Sequence, residues 1–300
     1  MSPKDILVCL DASDAGEGRL RLAGHIAREH KAHLAAAFLL AEDGTESPLY
    51  PPVVGGLGIA APTGAVGVSE GALVAGIPAP AVPPAMPRGT ALAETVEQRF
   101  RDSLAPHGLH GDWHLLGQRD GVELAGLAQS VDLVIVGQAS PEARLPSGFR
   151  PEDIVLACGR PLLVVPYAGV FASIGKRVMI AWDGTREASR ALHDALPLIA
   201  AAEAVTVITV RTHQSEFERD RPALDRVVRH LERHGIAAKA EEGLRGDLAI
   251  SDVLLSRAAD LGADLIVCGG YHHSQLREAL VGGVSRELLE HMTIPVLMSH

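Results

Sequence analysis

Residues 4–13 read KDILVCLDAS, and residues 176–185 read KRVMIAWDGT. In each stretch a basic flank precedes an apolar run, which ends in an Asp, one small residue and a Ser or Thr. Two further pairs agree in the same order: VDLVIVG at 131–137 with ADLIVCG at 263–269, and RPLLVV at 160–165 with IPVLM at 294–298. Matched landmarks in one order predict a duplicated domain. We expect one domain over 1–170 and a second over 174–300.

The second half alternates apolar runs of strand length with amphipathic segments. This pattern predicts strands near 177–182, 204–210, 236–241, 264–269 and 294–298, and helices near 185–200, 219–234, 248–261 and 284–291. Strands that alternate with helices join through right-handed crossovers into an open parallel sheet. The predicted fold class is therefore α/β, and ligands bind such sheets outside the carboxyl ends of the strands.

Composition and charge exclude several classes of partner. The formal charge is −10 and Lys and Arg form no stripe, so neither nucleic acid nor an anionic membrane surface is expected as a partner. Cys9, Cys158 and Cys268 lie far apart in apolar stretches, which is typical of free thiols in a reducing compartment. The N-terminus reads as a first strand rather than a signal peptide, and no stretch has the apolar length of a membrane span. We expect a cytoplasmic protein.

One segment of the first half breaks the repeat. From about 43 to 89 the chain is rich in Pro, Gly, Ala and Val, and Glu70 is the only charged residue between Glu46 and Arg88. The second half has no counterpart. A connection of this length is either a surface loop or a lid or docking segment.

Residues 268–286, CGGYHHSQLREALVGGVSR, are the strongest candidate for a ligand site. Two glycines stand at the end of a predicted strand in this segment, and a second pair of glycines stands at the start of the last predicted helix. Glycine lets the backbone approach a phosphate, and the free N–H groups of a helix start bind anions. Ser285 and Arg286 add a hydroxyl and a positive charge, and Asp183 follows a strand that ends at the same edge. The alternative is that the glycines serve turns and that Asp183 and Asp11 cap helices, which for Asp11 is the favoured interpretation.

These residues resemble the universal stress protein family, which carries G-x-x-G, nine residues, then G-S/T/G before its last helix and an Asp after its first strand. Here Gly269-x-x-His272 is followed, after nine residues, by Gly282-Gly283-Val284-Ser285. The resemblance implies two tandem, doubly wound, five-stranded parallel-sheet domains of Rossmann-like type, paired as a pseudo-dimer, with a role in the stress response. It also implies an adenine nucleotide ligand such as ATP, with or without Mg²⁺. The implied nucleotide-binding set is Ala181, Asp183, Val210, Cys268, Gly269, His272, His273, Gly282, Gly283, Val284 and Ser285.

The sequence departs from the family pattern at His272, which stands where the second glycine is usual. A side chain there is strained if the backbone needs a positive φ, and it crowds the phosphates; His272 and His273 could instead donate hydrogen bonds to an anion. In the first half, the one glycine that follows Gly137 before residue 152 is Gly148, which is out of register and has no paired glycine, so the nucleotide motif of this half is degenerate. Three interpretations stay open: a non-enzymatic nucleotide sensor, a weak ATP hydrolase with His272 or His273 as base, and an interaction scaffold whose site has decayed. No catalytic or metal-binding residue is predicted.

The final strands of the halves, near 161–166 and 294–298, are expected to pair with each other, because sheet edges are rarely left bare. This pairing would join the halves into one pseudo-twofold unit. A homodimer of the whole chain and a protein partner are left open by the sequence.

Overall fold

The computed structural model describes residues 2–40, 88–117, 120–139, 149–212, 215–270 and 283–300. The N-terminal half contains β1 (Asp5–Leu10), α1 (Asp14–His30), β2 (His33–Leu40), α2 (Arg88–Leu104), β3 (Trp113–Gly117), α3 (Gly121–Gln129), β4 (Leu133–Gly137), α4 (Pro151–Cys158) and β5 (Leu162–Val165). The C-terminal half contains β6 (Arg177–Ala181), α5 (Arg186–Ile199), β7 (Ala204–Arg211), α6 (Ser215–Arg233), β8 (Ala238–Leu244), α7 (Ile250–Leu261), β9 (Leu265–Gly269), α8 (Gly283–His291) and β10 (Val296–Ser299). Most of the predicted insertion at 43–89 lies outside the described residues.

All ten strands form one sheet in the order β3-β2-β1-β4-β5-β10-β9-β6-β7-β8. Within each half the strands are parallel and follow the same order. The halves meet where β5 pairs with β10 in the antiparallel direction, with Val164 opposite Val296. The predicted α/β class with parallel five-stranded halves is confirmed. The two final strands lie at the centre of the sheet, and β3 and β8 form its edges.

Helices cover both faces of this sheet. Alternate residues of each strand point to opposite faces, so Ile6 and Val8 pack with α1 and α2 whereas Leu7 packs with α3 and α4. The C-terminal half repeats the arrangement, with α5 and α6 on one face and α7 and α8 on the other. Strands buried on both sides need apolar side chains at every position, which explains their continuous apolar runs.

The repeated stretches at 4–13 and 176–185 form the same strand-to-helix corner in both halves. Ser13 is the N-cap of α1, and its hydroxyl accepts a hydrogen bond from the Gly16 amide at 3.0 Å. Thr185 caps α5 in the same way and accepts from the Ala188 amide at 3.2 Å. The Asp-x-Ser/Thr pattern therefore fixes the start of the first helix in each half.

The strand predicted at 236–241 begins later than expected. Ile236 takes part in the turn that closes α6, because its amide donates to the Leu231 carbonyl at 3.0 Å, and Gly235 turns the chain at a φ of 78°. Such a Gly-centred helix end delays the strand until Ala238. No helix within the described ranges is long and apolar enough to cross a membrane.

Candidate functional site

A pocket of about 250 Å³ opens at the carboxyl ends of β6, β7 and β9, beside α7 and α8. The strand order of the C-terminal half reverses between β6 and β9, and crevices at such switch points are the usual ligand sites of doubly wound sheets. Its walls combine strand ends, the first turn of α5 and the first turn of α8. The pocket is lined by Ala181, Trp182, Asp183, Thr185, Glu187, Ile208, Val210, Arg211, Ile250, Leu254, Cys268, Gly269, Gly283, Val284, Ser285 and Leu288.

The structure brings together all the described residues of the predicted nucleotide-binding set. They come from three separate places in the chain: the end of β6 with the residues after it, the end of β7, and the segment from β9 to α8. The members that line the pocket are Ala181, Asp183, Val210, Cys268, Gly269, Gly283, Val284 and Ser285. The three remaining members, His272, His273 and Gly282, lie outside the described residues.

The sequence prediction did not include half of the residues that line the pocket. Ile208 lies two positions before Val210 on the same face of β7, so strand periodicity could have found it. Leu254 on α7 and Leu288 on α8 reach the pocket through packing of helices that are distant in sequence. The other residues that the motif missed are Trp182, Thr185, Glu187, Arg211 and Ile250.

The N-terminal end of α8 supplies the pocket's electropositive side. The helix begins at Gly283, and its first turn lines the pocket with Gly283, Val284 and Ser285. The first N–H groups of a helix have no partner within the helix, and the aligned peptide dipoles add a partial positive charge there. This turn can therefore bind an anionic group such as a phosphate.

Two carboxylates lie on the other walls. The exposed Asp183 accepts at Oδ1 from the Thr185 amide at 2.9 Å and from the Thr185 hydroxyl at 2.6 Å. Within the described ranges its hydrogen bonds end on Oδ1, which keeps Oδ2 as an acceptor for a ligand hydroxyl or amine. Glu187 is buried, and its Oε1 accepts from the Arg186 Nε at 2.6 Å. The pocket thus offers acceptors on one side and a helix N-terminus on another.

Gly269 has a packing reason that is independent of any ligand. A Cβ atom at this position would lie 2.6 Å from the Ala188 amide nitrogen and 2.8 Å from the Glu187 carbonyl carbon. Only glycine lets the end of β9 approach the start of α5 this closely. The same close approach shapes the pocket, because Glu187 and Gly269 both line it.

Cys268 is expected to resist alkylation in the folded protein. Burial raises the pKa of its thiol to about 12, and the negative charge of Asp183 adds to the rise. The ordinary value is 9.0, so at pH 8 the reactive thiolate is about a thousandfold rarer than in the unfolded chain. Mass spectrometry of peptides after iodoacetamide treatment checks this result, with urea-unfolded protein as the control. Complete labelling of native Cys268 within minutes would contradict a closed apolar wall at this point.

The N-terminal half has a counterpart of the pocket that is almost filled, with a volume of about 20 Å³. The last strands of the two halves, β5 and β10, begin 134 residues apart. The same offset makes Phe149 the equivalent of Gly283 and Ile154 the equivalent of Leu288. Phe149 is buried, and large side chains from β2 and β3, Leu39 and Leu116, line the remaining space. Apolar side chains therefore occupy the volume that is open in the C-terminal half.

Asp11 is also used differently from Asp183. Its Oδ1 accepts from the Ser13 amide at 2.9 Å and from the Ser13 hydroxyl, as in the second half. Its Oδ2 accepts from the Arg19 Nη2 at 2.6 Å, and both side chains are buried. Arg19 also donates from Nε to the Cys9 carbonyl at 2.7 Å. The carboxylate that faces a pocket in one half is held by a buried ion pair in the other.

Comparison with known proteins agrees with this architecture. The model of the universal stress protein family matches residues 175–300. The whole structure is similar to that of a universal stress protein from Archaeoglobus fulgidus, with a TM-score of 0.70, 15% identity, and coverage of 100% of this chain and 96% of that chain. A functionally unknown protein from Pseudomonas aeruginosa PAO1 gives a TM-score of 0.58 at 15% identity, with 99% of this chain and 92% of that chain covered.

At these identities the structural matches establish the fold, and the family match establishes the relationship of the second half. Comparison with curated proteins gives no match. Residues 175–300 are therefore a domain of the universal stress protein family, and the N-terminal half has the same fold.

Proposed function

We propose that the C-terminal half binds an adenine nucleotide of the ATP type, with or without Mg²⁺, and acts as a sensor or signalling module in the stress response. The observation that carries this proposal is the meeting of Asp183, Val210 and the first turn of α8 around one pocket at the switch point of the sheet. We take the domains as 1–170 and 174–300, and we place the protein in the cytoplasm.

The walls of the pocket suit the separate parts of a nucleotide. Ala181, Ile208 and Val210 offer an apolar surface for an adenine ring, and Asp183 offers an acceptor for a ribose hydroxyl. The first turn of α8, at Gly283–Ser285, would hold phosphate oxygens through its amide groups. His272, His273 and Gly282 lie in the segment that leads into α8 and stay in the proposed binding set.

The proposal limits nucleotide binding to the second half. In the first half, the aromatic side chain of Phe149, just before α4, and the ion pair of Asp11 with Arg19 take the place of a ligand. A pocket of about 20 Å³ is far below the several hundred Å³ of ordinary small-molecule sites. We therefore expect one nucleotide for each chain.

Filling the pocket from the start of α8 should abolish binding. Gly283→Phe introduces the side chain that the equivalent residue Phe149 carries. Among the described residues, the one atom within 4 Å of a new Cβ outside the helix backbone is the Glu287 Oε1, at 4.0 Å. The backbone therefore accepts the change, and the ring takes up ligand space. Calorimetric titration with ATP, ADP and AMP should show binding to the wild type at millimolar concentration or below. We expect Gly283→Phe to weaken this binding by at least about a hundredfold, a loss of about 2.8 kcal/mol.

Gly283→Ala is the matched control, since it changes the same backbone position but adds little volume. It should keep binding close to that of the wild type. A wild type that takes up no nucleotide at millimolar ligand would overturn the proposal and favour an interaction scaffold. Phosphate release, followed in the same samples, would identify hydrolysis if it occurs.

A further inference from the structure

Gln138 links the N-terminal half to the helix that begins at the pocket. It follows β4 directly and is 2% exposed. Its Nε2 donates to the Leu289 carbonyl at 2.8 Å and to the Glu290 carbonyl at 3.1 Å, both near the end of α8. Its Oε1 accepts from the Tyr167 amide at 3.3 Å. One buried amide group therefore joins β4, the segment after β5 and the last turn of α8.

The last carbonyls of a helix lack partners within the helix and need them from elsewhere. Gln138 supplies two donors to that end of α8, and it does so from the other half of the chain. α8 has nine residues, which is about 2.5 turns and about 13 Å of rise. A helix this short moves as one piece, so the placement of its last turn also sets the placement of its first turn at the pocket.

Among the described residues, the buried amide contact is made on one side of the pseudo-twofold axis. The position equivalent to Gln138 is Gly270, as shown by matched backbone bonds: the Gln138 amide donates to Val165 and the Gly270 amide to Ser299. Gly270 has no side chain with which to reach back to α4. The end of α4 is instead contacted by the exposed Arg190 of α5, whose Nη2 donates to the Gly159 carbonyl at 2.6 Å. The two helix ends thus differ, because a buried amide group holds α8 and an exposed guanidinium contacts α4.

We propose that Gln138 is a positioning residue through which the N-terminal half sets the place of α8 and the nucleotide affinity of the C-terminal pocket. This inference rests on the proposed function for the identity of the ligand. Coupling between two sites is reciprocal, so nucleotide binding would in turn tighten the contact between the halves. The degenerate N-terminal domain then has a role in the site that it does not itself contain.

The first test is hydrogen exchange of α8 in the full-length protein without ligand. Gln138→Met keeps the volume of the side chain and removes both donors. We expect amide exchange over 283–291 to rise by about tenfold, since two buried hydrogen bonds to the helix end are lost. Gln129→Met is the matched control, because the Gln129 Nε2 donates to the Ala157 carbonyl on α4 at 3.1 Å in an exposed setting. Unchanged exchange of α8 in Gln138→Met would overturn the proposal.

The second test measures ATP affinity in the same variants. We expect Gln138→Met to weaken binding by about fivefold and Gln129→Met to leave it unchanged. Equal affinity of Gln138→Met and the wild type would refute the coupling. If the wild type itself binds no ATP, the proposed function fails, and the exchange of α8 alone decides whether Gln138 positions the helix.

Gln138→Glu separates the donor role from simple packing. An ionised carboxylate would repel the two carbonyl oxygens, whereas a protonated carboxyl group can donate to one of them. Relative to wild type at the same pH, α8 exchange in Gln138→Glu should slow as the pH falls from 8 to 5. The corresponding ratio for Gln138→Met should stay constant. A flat profile for Gln138→Glu would show that no donor is needed at this position and would contradict the proposal.

Discussion

Asp11→Ala should lower the free energy of unfolding by about 4 kcal/mol, because it leaves the Arg19 guanidinium buried without its counter-ion. Arg19 is 1% exposed and cannot reach water without disturbing the packing of α1 on β1. The variant also loses the acceptor that holds Ser13 at the start of α1. Urea unfolding followed by circular dichroism measures the change.

The equivalent change in the second half is the control. Asp183→Ala removes the acceptor of Thr185 from an exposed site, where no described residue forms an ion pair with Asp183, so we expect a loss of about 1 kcal/mol. The double variant Asp11→Ala with Arg19→Met should recover about 2 kcal/mol relative to Asp11→Ala, since the buried charge that has lost the Asp11 carboxylate is removed. Equal losses for Asp11→Ala and Asp183→Ala would show that the two corners had not diverged as described.

Gly269→Ala should destabilise the protein by about 3 kcal/mol and distort the pocket at the same time. The added methyl group would stand 2.6 Å from the Ala188 nitrogen, and backbone cannot yield as a flexible side chain can. β9 and the start of α5 must therefore separate. Thermal unfolding and nucleotide titration of the same preparation would record both effects.

Gly270→Ala is the matched control at the next residue. Its new Cβ would meet neighbours at 3.7 Å or more, which is ordinary van der Waals contact. We expect a change in stability within about 1 kcal/mol. If Gly269→Ala were as stable as Gly270→Ala, the close approach of β9 to α5 would not be the reason for glycine at position 269.

The sequence was sufficient to predict the α/β fold because its strongest signals are local and repeated. At 4–13 and 176–185, the apolar run predicts a buried strand, and the Asp with the following Ser or Thr predicts the cap of the next helix. The expectation that the two final strands pair also agrees with the register of β5 and β10. That expectation needed only the general rule that edge strands find a partner.

The site was predictable only where a motif marked it. Ala181, Asp183 and Gly283 lie at or next to the ends of regular elements, so their meeting at one sheet edge could be foreseen. Leu254 and Leu288 reach the same pocket through helix packing, which leaves no short-range signature. His272, whose departure from the family pattern raised the doubt about phosphate binding, lies outside the described residues, and its role stays a prediction.

The loss of the site in the first half also has a physical account that no motif could supply. The degenerate glycine pattern of the first half predicted that its phosphate-binding turn is missing. The pattern did not show which side chains take the place of the ligand. A single Arg in α1 neutralises the Asp, and a single Phe before α4 fills the cavity. Both depend on burial in the folded chain, and Arg19 could be read from the sequence only as an ordinary charged helix residue.

Native mass spectrometry of the full chain with ATP at a concentration near the dissociation constant tests the central claim most directly, because it counts ligands. We predict a single added nucleotide for each chain in the wild type and in Asp11→Ala, and none in Gly283→Phe. Two nucleotides for each chain, or a nucleotide retained by Gly283→Phe, would contradict the assignment of the site to the C-terminal pocket.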